Sequence, residues 1–224
     1  MMGGENSCNK KNKMHLMKKF LCIVGTVMLM VNASGQKNGK FFMVGERIPD
    51  LPLKGLFNYK DTTAKLTDFG EKLIIMDFWS IHCSMCVELW PKIDSIQRAL
   101  NDRVQFILVT YDSKDKVQTF LKKWNAKHEQ PLSIPIVYEN NKLSKLFLHN
   151  GIPHTAWITP TAKLLLQTVG ETLIQYNLID SVSTYFKNYL SQLKRDLPPS
   201  AYEFRNPSKS IIAQLIGTNQ EKSN

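Results

Sequence analysis

Two cysteines, Cys83 and Cys86, stand at C-x-x-C spacing in the run Trp79-Ser80-Ile81-His82-Cys83-Ser84-Met85-Cys86. Thiols so close can join as a disulfide or stand open as a dithiol, so the pair can take up and return two electrons. Whether that chemistry is used depends on the elements around it. Ahead lies an apolar, branched run over residues 73–79, which reads as a buried strand, and a run of good helix formers begins at the first cysteine. Cys83 would then sit at a helix N-terminus. Backbone amides and the positive end of the helix dipole favour its thiolate there and bring its pKa below that of a free cysteine. The pattern is that of a redox-active dithiol.

Composition narrows the alternatives. With 224 residues and a hydrophobic fraction of 43%, the chain has the size and apolar content of one globular domain with extensions. Of the formal net charge of +10, residues 1–35 hold +4 and the remainder +6. Without a basic patch interleaved with aromatic residues, that balance argues against nucleic acid as a partner. Two lysines, Lys18 and Lys19, precede a short apolar segment that runs into Asn32-Ala33-Ser34-Gly35, the pattern of a secretory signal peptide, with Met14 or Met17 as a more natural start than Met1. An uncleaved membrane anchor is the alternative. Cleavage after Gly35 removes Cys8 and Cys22 and leaves Cys83 and Cys86 alone. A single closely spaced pair is not the framework of a disulfide-stapled scaffold, so the pair reads as chemical. Neither a Gly-rich phosphate loop nor an HExxH helix occurs.

The expected organisation is a signal peptide over 1–35, a linker over 36–43, one domain over 44–193 and a polar tail over 194–224. Within the domain, Pro49 and Pro52 restrict the opening stretch to extended or edge conformations. After the C-x-x-C a helix runs to about residue 100, kinked at Pro91, which has no amide to donate. Residues 104–110 form a second buried strand, so strand, helix and strand predict parallel pairing. Val117, Phe120, Leu121 and Trp124 make a helical stripe facing a core. An extended stretch over 133–138 and a short helix over 143–148 follow. Residues 155–159 and 164–169 predict an antiparallel hairpin, and 171–193 a final amphipathic helix.

Taken together these residues resemble the thioredoxin superfamily, in its exported TlpA/ResA-like branch. The resemblance rests on Asp77-Phe78-Trp79, the Cys83/Cys86 motif, Pro91 five residues after the second cysteine, and Gly151-Ile152-Pro153, where the family keeps a cis-proline. The opening Val44-Gly45-Glu46-Arg47-Ile48-Pro49-Asp50 is similar to the lead-in of the TlpA and peroxiredoxin branches. The implied fold is α/β: a central mixed β-sheet flanked by helices, with an N-terminal extended or β extension.

The resemblance implies a protein disulfide oxidoreductase. Cys83 attacks a substrate disulfide and Cys86 resolves the mixed disulfide. Asp77, six residues ahead of Cys83, occupies the buried-acid position, where desolvation lifts a carboxyl towards the range useful for taking the Cys86 proton. Its other reading is a strand-end carboxylate paired with a lysine. Ile152, Pro153, Trp79 and His82 are the expected substrate contacts; Trp79 also reads as core. The expected cofactor is none beyond the Cys83–Cys86 disulfide. Partners are client proteins with disulfides or thiols and an upstream thiol electron donor, which could be membrane-bound, in a periplasmic or otherwise exported location. Three departures from the family stand at the motif itself. His82 replaces a tryptophan, Ser84-Met85 replaces the usual inner dipeptides, and Glu88 lies one position short of the glutamate common in this branch. A competing reading is a Cu(I)-binding module that gathers Cys83, Cys86, His82 and His154. Peroxidase activity is disfavoured, since PxxxTxxC is missing around Cys83.

Overall fold

A computed structural model describes residues 41–147 and 149–196. The expected signal peptide, most of the linker and the tail beyond residue 196 lie outside the described residues. Three short strands open the domain: β1 (Pro52–Lys54), β2 (Leu56–Phe57) and β3 (Thr63–Lys65). A 3-10 turn over Leu66–Phe69 leads into β4 (Leu73–Phe78). Then come α1 (Ser84–Glu88), α2 (Trp90–Ala99), β5 (Val104–Val109), α3 (Lys114–Asn125), β6 (Ile136–Val137), α4 (Asn141–Leu146), β7 (His154–Ile158), β8 (Leu164–Val169) and α5 (Tyr176–Asp196).

Six strands form one mixed sheet in the order β2-β6-β5-β4-β7-β8, and β1 and β3 pair in a separate antiparallel ribbon. β4 pairs parallel with β5 and antiparallel with β7, and β8 completes the antiparallel hairpin with β7. Every residue of β4 and of β5 is buried, as a strand covered on both faces requires. Alternation along β4 splits its side chains between two cores. Leu73, Ile75 and Trp79 join the cluster beneath the C-x-x-C helix, with Cys86, Trp90, Phe106 and Trp157. Ile74, Met76 and Phe78 join the opposite cluster with Ile107, Val109, Ala156 and Phe147. The lead-in segment is pinned to the start of β8 by Gly45 N–H to Leu164 O at 2.8 Å and Ile48 N–H to Ala162 O at 2.7 Å.

Pro91 breaks the helix as its missing amide demands. α1 ends at Glu88, α2 starts at Trp90, and Pro91 falls in the first turn of α2, where no internal donor is needed. Two boundaries differ from the sequence expectation. α4 starts at Asn141 instead of 143, because the Asn140 side chain accepts from Leu143 N–H at 3.0 Å and caps the helix earlier. α5 starts at Tyr176 instead of 171: Ile174 is buried like a first helical apolar position, but residues 171–175 are turned by Ile174 N–H to Glu171 O.

Candidate active site

Cys83 and Cys86 are joined as a disulfide, with Cα atoms 5.3 Å apart. Cys83 is the N-cap of α1, in an extended conformation, and its Sγ accepts the Cys86 amide at 3.2 Å. The sequence places the sulfur where a capping oxygen usually stands, and the helix amide points at it. Cys83 is partly exposed whereas Cys86 is fully buried in the first core. Only one sulfur of the bond can be approached from outside.

The loop carrying Cys83 is held from the end of β5. Asp112, buried, accepts Ile81 N–H at 2.8 Å and the Thr110 hydroxyl at 2.9 Å, and Thr110 Oγ1 in turn accepts Asp112 N–H. Ser80 O accepts Cys83 N–H at 2.9 Å and closes the turn into the helix. Sequence reasoning missed Asp112. The available signal was a threonine and an aspartate just past a parallel strand, at the sheet end where open α/β sheets build their sites.

Asp77 lies in the middle of the sheet, 1% exposed, on the same face of β4 as Ile75 and Trp79 and hence on the Cys86 side. Among the described residues neither carboxyl oxygen has a hydrogen-bond partner. Burial without compensation disfavours the charged form, and the carboxyl is pushed from its usual value near 3.8 up to about 8. Among the described residues no lysine forms an ion pair with it, so the strand-end ion-pair reading of Asp77 is set aside.

The remaining expected contacts divide. The Ile152–Pro153 peptide is cis. Ile152 is partly buried and packs against both cores, Pro153 is buried, and Pro153 O accepts Gly170 N–H at 2.8 Å. His82 is exposed beside the disulfide, as is Met85 at 61%. Trp79 is 1% exposed and packs edge-on against Trp90 at 4.6 Å, the core placement of its other reading. Among the described residues its indole N–H and that of Trp90 lack partners. Glu88 is exposed on α1.

His154 does not join the cysteines. Its neighbour across the ladder is Phe78, so it shares the second-core face, opposite Cys86, and its ring stacks on His149 at 4.7 Å with Nε2 on Gln167 Oε1 at 3.3 Å. Desolvation holds its pKa below the usual histidine range. Among the described residues no group of three His, Cys, Asp or Glu is gathered to hold a metal ion. The four-residue copper constellation is therefore not assembled by this fold.

Comparisons with known proteins bear on the family and the fold. The thiol-disulfide oxidoreductase ResA of Oceanobacillus iheyensis is 22% identical over 169 residues, 71% of this chain and 85% of that protein. The thioredoxin-like protein YneN of Bacillus subtilis is 23% identical over 100 residues, 45% of this chain and 56% of that protein. A crystal structure described as a thiol:disulfide interchange protein DsbE from Chlorobium tepidum superposes with a TM-score of 0.51 at 22% identity, covering 66% of this chain and 99% of that one. The last likeness speaks to the fold alone, which is thioredoxin-like. The AhpC/TSA family pattern matches residues 44–164, more than half of the chain. With its C-x-x-C disulfide on a thioredoxin-like sheet, this chain belongs to the AhpC/TSA family and is a TlpA/ResA-like member of the thioredoxin superfamily.

Proposed function

We propose that this protein is an exported thiol-disulfide oxidoreductase that reduces disulfides in client proteins, with Cys83 as nucleophile and Cys86 as resolving thiol. The observation that carries the reading is the asymmetry of the pair: an approachable sulfur at a helix N-cap and a fully buried one on the side of an unpartnered carboxyl.

In the reduced protein the Cys83 thiolate attacks a client disulfide. A Cys83–client bond forms, the client S–S bond breaks, and the second client sulfur leaves as a thiolate. The Asp77 carboxylate then takes the Cys86 proton, the Cys86 thiolate attacks Cys83 sulfur, and the remaining client sulfur leaves. Two electrons pass from the dithiol to the client, and an upstream thiol donor restores the dithiol by the same exchange in reverse. Asp77 serves the second half of this sequence, the release of reduced client, and returns the proton to Cys86 when the donor exchange runs in reverse; the direction of electron flow is set by the reduction potential of the pair. Ile152 and Pro153 would border the client backbone, and His82 would face it from the exposed side. Export is supported by the signal-like N-terminal sequence.

Cys86→Ser should accumulate mixed disulfides with clients, visible on non-reducing gels, and Cys83→Ser should not. Equal trapping by both variants, or by neither, refutes the assignment of roles. Equilibration of the same dithiol against glutathione sets the direction: a potential near the thioredoxin value of about −270 mV supports reduction, and one near about −120 mV refutes it.

A further inference from the structure

A groove of about 350 Å³ opens between the loop ahead of the disulfide and α3, lined by Ile81, Asp115, Lys116, Thr119, Phe120 and Lys123. Ile81 is two residues before Cys83, so their Cα atoms lie within about 7 Å. The larger cavity, about 480 Å³, is lined by β1 and α4 residues such as Pro52, Lys54 and Leu146 and by none of the residues of the dithiol chemistry.

The helix sets the order of side chains across the groove. Steps of about 100° per residue place Phe120 next to the buried stripe of Val117, Leu121 and Trp124, then Lys116 and Lys123, then Thr119, with Asp115 outermost. The floor is apolar, built from partly buried Ile81 and Phe120. Its rim is cationic. Lys116 and Lys123 are exposed, and neither has an ion-pair or hydrogen-bond partner among the described residues. α3 carries four lysines, Lys114, Lys116, Lys122 and Lys123, against the single acid Asp115. An apolar floor with two unpaired ammonium groups above it complements one kind of segment: an apolar side chain flanked by carboxylates.

We propose that this groove is the client-docking site, and that it selects client segments in which an apolar residue with acidic neighbours lies close to the disulfide cysteine. The proposal rests on the oxidoreductase reading above and names its substrate class. Docking there holds the client chain beside Cys83, while the cis-proline loop borders it from the Ile152 side. Charge complementarity at the rim acts mainly on encounter, so the preference is sensitive to salt.

Two synthetic peptides with an internal disulfide test this, one with leucine flanked by glutamates two residues from a cysteine, the other with lysines in place of the glutamates. At low ionic strength the reduced full-length protein should reduce the glutamate peptide about tenfold faster, from two charge contacts. Added salt should narrow that gap, and the double variant Lys116→Glu, Lys123→Glu should invert it. Both lysines are exposed, so the fold is not at stake. Equal rates for the two peptides, or a preference that survives the double variant, overturn the groove. Uncharged 2-hydroxyethyl disulfide separates the two claims. If the wild-type protein reduces it normally but shows no peptide preference, the groove alone fails. If it reduces neither that disulfide nor the peptides, the oxidoreductase reading fails and the groove with it.

Discussion

Asp77→Asn tests the buried carboxyl in two opposite directions at once. In the fold both Asp77 oxygens are buried without partners, and the carboxyl titrates at about 8 instead of near 3.8. The folded chain therefore keeps a proton that the unfolded chain gives up once the pH passes 3.8. A raised folded pKa contributes most below the unfolded value, and that contribution is lost as pH rises through the folded one. At pH 7 the gap of about three pH units, at about 1.4 kcal/mol each, makes Asp77 cost about 4 kcal/mol. Asparagine has the same shape, stays neutral and escapes this cost. Guanidinium unfolding of the oxidised wild type and variant should give equal stability near pH 4. The variant's advantage should grow by about 1.4 kcal/mol per pH unit and level off above pH 8. A difference that does not change with pH, or is largest in acid, refutes the reasoning, because Asp77 would then be ionised in the fold. The same substitution should slow resolution of a preformed Cys83 mixed disulfide by about a hundredfold and remove its rise between pH 7 and 9. A variant both more stable and slower is the signature of an acid kept for chemistry.

Two further predictions concern supports of the site and of the sheet edge. Asp112→Ala leaves Ile81 N–H and the Thr110 hydroxyl without their acceptor, which should cost about 1–3 kcal/mol in thermal unfolding and speed amide exchange at Ile81, with Asn restoring part of both; unchanged exchange at Ile81 would remove Asp112 as the anchor of the Cys83 loop. Gly55→Ala should destabilise by about 1–3 kcal/mol, since Gly55 sits at φ +73° and a Cβ there would meet the Tyr138 ring at 2.8 Å; an unchanged unfolding midpoint would show that the ring yields freely.

The parts of this site that were legible in the sequence are those whose cause is local. A branched apolar run, a cysteine pair and a proline five residues on are enough to place β4, the N-cap sulfur and the helix break, because each depends on neighbours within a turn or two of chain. What the sequence could not show depends on which face a residue takes once strands pair. His154 follows Pro153 directly and so looked close to the cysteines, but it lies opposite Phe78, and one step of alternation along β4 separates Phe78 from the Asp77 face. The same alternation turns Trp79 inward against Trp90. Asp112 reaches Ile81 across 31 positions, a contact that no periodicity records. α3 shows the limit most plainly. Its 3.6-residue pattern identifies Val117, Leu121 and Trp124 as inward and therefore fixes Lys116 and Lys123 on the flank, yet a flank becomes a groove only because β5 delivers Asp112 to hold Ile81 beside it. If the groove docks clients as proposed above, their selection is tied to Asp112, the residue that holds the Cys83 loop. Loss of Asp112 should accordingly blur the choice between acidic and basic peptides as well as loosen Cys83.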